Sequence, residues 1–101
     1  MREAAGILEV FGCVAAFVAA DAAAKAGNVR IEAIDKNKPA NADSLPVPLI
    51  TCLKIRGSVA DVEAAMEAGA AAAEALTGVI TKHIIPAPAE DTEKMLRISA
   101  I

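Results

Sequence analysis

Twenty-five of the 101 residues are alanine, and two phenylalanines are the only aromatic side chains. That imbalance limits the folds open to the chain. Alanine fills little volume, so a helix rich in it has to lie very close to whatever it covers. A lone copy built this way has a thin core, and burying more apolar surface against copies of itself is the natural remedy. At this length the chain is expected to be one domain, residues 1–101.

Charge narrows the partners. The net charge is −3, with acids and bases interleaved and no basic cluster. Nucleic acid is therefore an unsuitable partner, and so few aromatics leave no stacking platform for single strands. The start MREAAGILEVFG lacks the charged region, apolar run and cleavage site of a secretory leader, and no apolar run nears ~20 uncharged residues, so a cytoplasmic protein without a membrane span is expected. Cys13 and Cys52 lie far apart in sequence and read as free buried thiols.

The order of elements follows from periodicity. AGILEVFG (5–12) alternates weakly and reads as a strand. CVAAFVAADAAAKAG (13–27) is a run of good helix formers that reaches Gly27, a residue often found just past a helix end. VRIEAID (29–35) predicts a strand with Val29, Ile31 and Ala33 on one side. The polar, proline-bearing stretch NKPANADSLPVPL (37–49) predicts a loop far longer than the two to five residues usual between neighbouring strands. ITCLKIRG (50–57) alternates Ile50, Cys52 and Lys54 against Thr51, Leu53 and Ile55, so one face should meet the core and the other a partner or solvent.

Ser58 with Asp61 three residues later nearly matches a capping box, and it opens a helix over 58–78. Its apolar stripe runs Val59, Val62, Ala65, Met66, Gly69, Ala73, Leu76, while Asp61, Glu63, Glu67 and Glu74 form a solvated face. VITKHIIP (79–86) is a last strand, and AEDTEKMLR (89–97) a short helix within a tail spanning 87–101. The pattern β-α-β-β-α-β plus a tail helix is the ferredoxin-like class of α+β folds. That fold hosts many activities and names none. Catalytic chemistry is not visible: His83 is the one histidine, no acid or cysteine near it in sequence orients it, and no phosphate, zinc-protease or nucleophile-elbow motif occurs. No enzyme, cofactor or metal is expected.

Three phrases are more specific. G-C-V-A-A-F-V-A-A-D-A-A-A-K-A-G-N-V (12–29), R-G-S-V-A-D-V-E-A-A-M-E-A-G-A-A-A-A (56–73) and H-I-I-P-A-P (83–88) stand in the order and spacing typical of bacterial microcompartment shell proteins. The chain resembles the single-domain, hexamer-forming type over roughly residues 4–96. The resemblance implies flat cyclic homo-hexamers that tile, with other shell proteins, into the facets of an organelle enclosing enzymes. It also implies an edge site. The lysine of the D-x-x-x-K motif is Lys25, with Asn28 beside it; read from the residues alone, Lys25 is a solvated cation at a helix end. The matching edge motif is Pro86, Ala87, Pro88, and Ala87 stands where the family commonly has an arginine, so edge contacts are expected to rest on Lys25 and on apolar packing around Pro86 and Pro88.

The family's short turn between the second and third strands lines a pore on the sixfold axis. Here the long loop takes that place, giving a candidate pore set of Asn37, Lys38, Pro39, Asp43, Ser44, Leu45, Pro46, Val47 and Pro48. Aligned from its start, the pore position falls at Lys38–Ala40; aligned from its end, at Val47–Leu49. The usual glycines are replaced by prolines, which fix φ and remove amide donors. Asp43 in six copies would need water, counterions or Lys38 as partner, whereas Leu45 and Val47 would make an apolar constriction. Small metabolites are the expected passengers. Some relatives hold an iron–sulfur cluster through a cysteine in this turn, but neither cysteine lies there. The alternative reading is a ligand-sensing regulatory domain of the same ferredoxin-like class.

Overall fold

The computed structural model describes residues 3–99. Residues 1, 2, 100 and 101, the extremes of the expected domain and of the 87–101 tail, lie outside the described residues. The order is β1 (Ala4–Phe11), α1 (Cys13–Ala26), β2 (Arg30–Asn37), a 3-10 turn (Ala42–Ser44), β3 (Ile50–Gly57), α2 (Val59–Glu74), β4 (Val79–Ile85) and α3 (Glu90–Leu96). The four strands form one antiparallel sheet in the order β2-β3-β1-β4. This is the expected β-α-β-β-α-β arrangement with its tail helix.

Alanine decides how the first layer packs. Every buried residue of α1 is an alanine: Ala15, Ala16, Ala19, Ala20 and Ala23. On α2 the buried set is Val62, Ala65, Met66, Gly69, Ala70 and Ala73. Val59 and Leu76, the two ends of the expected stripe, are instead exposed. Where the helices meet, a Cβ on Gly69 would sit 3.1 Å from the Ala19 carbonyl oxygen, so the small residue is what permits the approach. The pair covers the sheet face bearing Leu8, Val10, Leu53 and Ile55.

Two boundaries and one strand register differ from what the sequence predicts. The second strand extends through Asn37, which pairs with Ile50, so the connection spans 38–49. Its register shifts between Ile31 and Ala33, which sets Ile31 opposite Ile55 and Ile34 opposite Leu53. An extra residue in one strand moves the following side chains to the other face, so strict alternation over 29–35 fails. The second helix stops at Glu74, four residues before Gly78: the N–H groups of Leu76, Thr77 and Gly78 all turn back to the Ala73 carbonyl, and Gly78 closes the turn at φ 117°.

The other face of the sheet carries the tail. Lys54 and Arg56 are buried beneath α3. Lys54 Nζ donates to the Ile98 carbonyl at 2.8 Å, Arg56 pairs with Glu93, and Leu96 is buried between these anchors and the sheet. The face expected to meet a partner or solvent is thus partly occupied by the chain's own tail. Met95 and Ile98 remain exposed on it.

Candidate functional site

Antiparallel pairing sends the two candidate sets to opposite ends of the molecule. At one end β1 begins, β3 finishes and β4 finishes, with Ala4 opposite Gly57 and Ala5 opposite Ile85. The α1–β2 turn lies here too, since a Cβ on Gly57 would sit 3.0 Å from the Asn28 carbonyl oxygen. At the other end Phe11 pairs with Ile50, and the 38–49 connection bridges β2 and β3. The described chain measures 42 × 28 × 18 Å along its principal axes.

The turn end holds Lys25, Asn28, Pro86, Ala87 and Pro88. Lys25 is exposed and bonded at 2.6 Å to Asp21 one turn earlier on the same helix. Asn28 donates its backbone N–H to Asp61 Oδ1 at 3.1 Å. The Ser58 hydroxyl donates to Asp61 Oδ2 at 2.8 Å and accepts from the Asp61 N–H at 3.1 Å. This departs from a reciprocal capping box, because the carboxylate takes the Ser58 hydroxyl instead of the Ser58 backbone N–H and gives its other oxygen to another element. The two donors, Ser58 first and Asn28 second, hold the Asp61 carboxyl below its usual range. Pro86 and Ala87 are exposed, but Pro88 is fully buried within the protomer. The packing surface expected from both prolines therefore reduces to Pro86 and Ala87.

Gly27 lies just past the end of α1, as the sequence predicts. Gly27 is extended, with φ −144°, and needs no left-handed conformation. What it needs is space: a Cβ there would lie 2.4 Å from the Asp61 carbonyl oxygen. The start of α2 is pressed onto the end of α1, and only glycine fits between them.

The loop end is ordered largely by its own bonds. Ala42 donates to the Pro39 carbonyl at 3.0 Å, Ser44 to Asn41 at 3.0 Å and Leu45 to Ala42 at 3.1 Å. The Ser44 hydroxyl also bonds the Asn41 carbonyl at 2.7 Å. Ala42 is buried; Pro39, Leu45 and Val47 are half-buried; Asn37, Lys38, Asp43, Ser44, Pro46 and Pro48 are exposed. One bond returns to the body, from the Gly12 N–H to the Leu49 carbonyl at 2.8 Å. The polar members of the candidate pore set thus face outward, while the two apolar ones are partly folded under.

His83 is exposed on β4, in an open cleft of about 530 Å³ lined also by Glu63, Met66, Glu67, Lys82 and Ile84. Its acidic neighbours come from α2, which sequence proximity did not reveal. Glu74 is also more than a solvated acid, since it accepts the Val79 N–H at 3.0 Å. Both thiols are free and half-buried, and burial pushes the Cys52 thiol up. Among the described residues no group of three histidines, cysteines or acids could hold a metal ion. No helix there is long and apolar enough to cross a membrane.

A model of the BMC domain matches residues 4–88. The chain belongs to the BMC domain family. It is 40% identical over 95 residues to the bacterial microcompartment shell protein PduA of Citrobacter freundii, an alignment covering 94% of this chain and 92% of that one. The shell protein EutM of Salmonella typhimurium is 36% identical over 97 residues, covering 96% and 92%. The carboxysome shell protein CcmK3 of a Halothece species is 36% identical over 101, covering 98% and 90%. A crystal structure of a microcompartment protein from Desulfitobacterium hafniense superposes with a TM-score of 0.72 at 25% identity; all of this chain is covered, and it spans half the length of that one. This BMC domain chain accordingly has a structural role in a microcompartment shell, and the regulatory alternative finds no support among these relatives.

Proposed function

We propose that this BMC domain chain forms flat cyclic hexamers that tile edge to edge into a microcompartment wall in the cytoplasm, with the 38–49 loop around the sixfold axis and Lys25 and Asn28 on the perimeter. The supporting observation is that the loop and the turn lie at opposite ends of the strands. In a ring of six, each wedge puts one end at the axis and the other at the rim, and the two candidate sets occupy such a pair of ends.

Copies of the same chain suit its surface. Val14, Phe17 and Val18 are exposed at i, i+3, i+4 spacing on the outer side of α1, at the loop end, where α2 also finishes with exposed Leu76. Apolar surface grouped like this is typical of contact with a partner. At the axis, six loops presenting Lys38, Asp43 and Ser44 would make a narrow polar path for small metabolites. The wall does its work by packing and by selective passage, without catalysis. Ala87 offers no hydrogen-bond donor at the rim, which favours mixing with other shell proteins whose edges supply one.

Lys25→Ala tests this reading. Hexamers should persist by size-exclusion chromatography, because Lys25 pairs with Asp21 of its own helix, while sheets seen by electron microscopy should form less readily. Sheets as abundant as the parent's would remove Lys25 from the edge.

A further inference from the structure

Lys25 and Asn28 have no firm anchor of their own. Lys25 is tied to Asp21, an exposed partner on the same helix, so its place in space is inherited from the end of α1. The turn that follows is three residues long, Gly27 to Val29, with the Val29 N–H bonded to the Gly27 carbonyl at 2.9 Å. Among the described residues, the side chain from another element that bonds it is Asp61, through the Asn28 N–H. Asp61 has two carboxylate oxygens with separate tasks: Oδ2 receives the Ser58 hydroxyl at the start of α2, and Oδ1 receives Asn28 at the end of α1. Its backbone carbonyl is also the atom pressed against Gly27.

We propose that Asp61 is the positioning residue of the shell edge: by joining the start of α2 to the Gly27–Val29 turn, it sets where Lys25 and Asn28 stand at the outer end of the protomer. The proposal rests on the reading of those two residues as edge residues. A capping role alone does not account for the arrangement. The α2 start is already capped by the Ser58 oxygen on the Asp61 N–H, a bond that would survive loss of the Asp61 carboxylate. The carboxylate is not needed for that bond: one oxygen holds the Ser58 hydroxyl, and the other reaches the neighbouring element. Asp61 is not part of the hydrophobic core, so its removal should loosen the turn while the fold persists.

The test uses the full chain with four changes: Asp61→Ala, Asp61→Asn, Ser58→Ala and Lys25→Ala. Amide hydrogen exchange at Asn28 is measured on dissolved oligomers, and the concentration at which sheets appear is measured by light scattering with electron microscopy. Asp61→Ala should speed Asn28 exchange and raise the sheet-forming concentration, each about tenfold. Asp61→Asn keeps an oxygen for the Asn28 N–H and should restore most of both. Ser58→Ala removes the cap but leaves the Asn28 bond, so it should lower the melting temperature with little change in Asn28 exchange. In a Lys25→Ala background, Asp61→Ala should add little to the loss of tiling. Unchanged Asn28 exchange in Asp61→Ala overturns the proposal. So does normal tiling of Asp61→Ala when Lys25→Ala tiles poorly, and that result leaves the edge reading intact. Normal tiling of Lys25→Ala itself overturns both. Should Asp61→Ala fail to assemble, Asp61→Asn and Ser58→Ala decide: matching losses in the two mean capping alone and reject the proposal.

Discussion

The two connections that flank β2 are built on opposite principles. The α1–β2 turn is three residues long and is fixed from outside, by the Asp61 carboxylate on Asn28 and by the Asp61 carbonyl against Gly27. The 38–49 connection is long and is fixed mostly from inside, by three backbone bonds within 39–45 and the Ser44 hydroxyl, with one bond from Gly12 tying it to the body. A short turn shares its geometry with the helices and passes strain to them, whereas a self-bonded loop can change without disturbing its platform. Under the proposed assembly that contrast would be useful: the end proposed to meet neighbouring hexamers would be held reproducibly, and the end proposed to line the pore would be free to vary.

The largest expected effect comes from crowding the short turn. Gly27→Ala places a Cβ 2.4 Å from a backbone oxygen, which has no flexible end to move aside. Overpacking of this kind costs about 3 kcal/mol or more, and in a domain of this size that lowers the melting temperature by roughly 12 °C or more. A calorimetric shift under about 2 °C would mean that the turn yields as easily as the loop.

Acid should act on the same end, with a smaller effect. The Asp61 carboxyl is held below its usual range by Ser58 and Asn28, so its contribution is fully present above the ordinary aspartate value of about 4 and is lost as pH falls through the depressed native value. Denaturation midpoints of the parent and of Asp61→Asn should differ at neutral pH and converge below about pH 4. A constant offset down to pH 2 would separate the charge from the turn's stability.

The smallest effect is expected at the other end. Exchanging residues 38–49 for a short glycine–serine turn should change stability by about 1 kcal/mol or less, because loop closure depends only weakly on length and few of the loop's bonds leave it. Oligomer size by light scattering should be preserved. Loss of the oligomer would show that the loop carries subunit contacts and that the contrast between the two connections is wrong.

How far the sequence disclosed this depends on whether the cause was local. The alanine stripe of α1, the Ser58 cap and the strand pattern of β3 express short-range rules, and the element order followed from them. Gly27 is legible as a residue that often follows a helix end, but the reason it is required here, the Asp61 carbonyl thirty-four positions later, has no local signature. Lys54 and Arg56 show the same limit. Two cations at alternate positions of an apolar strand were a signal that the second sheet face was covered, and the acidic tail containing Glu93 was the segment to cover it. The bulge after Ile31 was invisible because a one-residue register shift leaves composition unchanged. In the candidate sites, the motifs marked Lys25 and Asn28 but not Asp61, since the bond that ties Asp61 to the turn crosses between elements.

The central claim is that the loop end faces the sixfold axis and the turn end faces the rim. An electron cryo-microscopy map of the parent protein in its assembled state tests it most directly, by locating residues 38–49 and Lys25 relative to the symmetry axis. The account predicts six 38–49 loops converging around the axis, with Lys25 and Asn28 at the outer boundary against the next hexamer. A map with the loops on the perimeter, or with Lys25 buried between protomers of one ring, would contradict it.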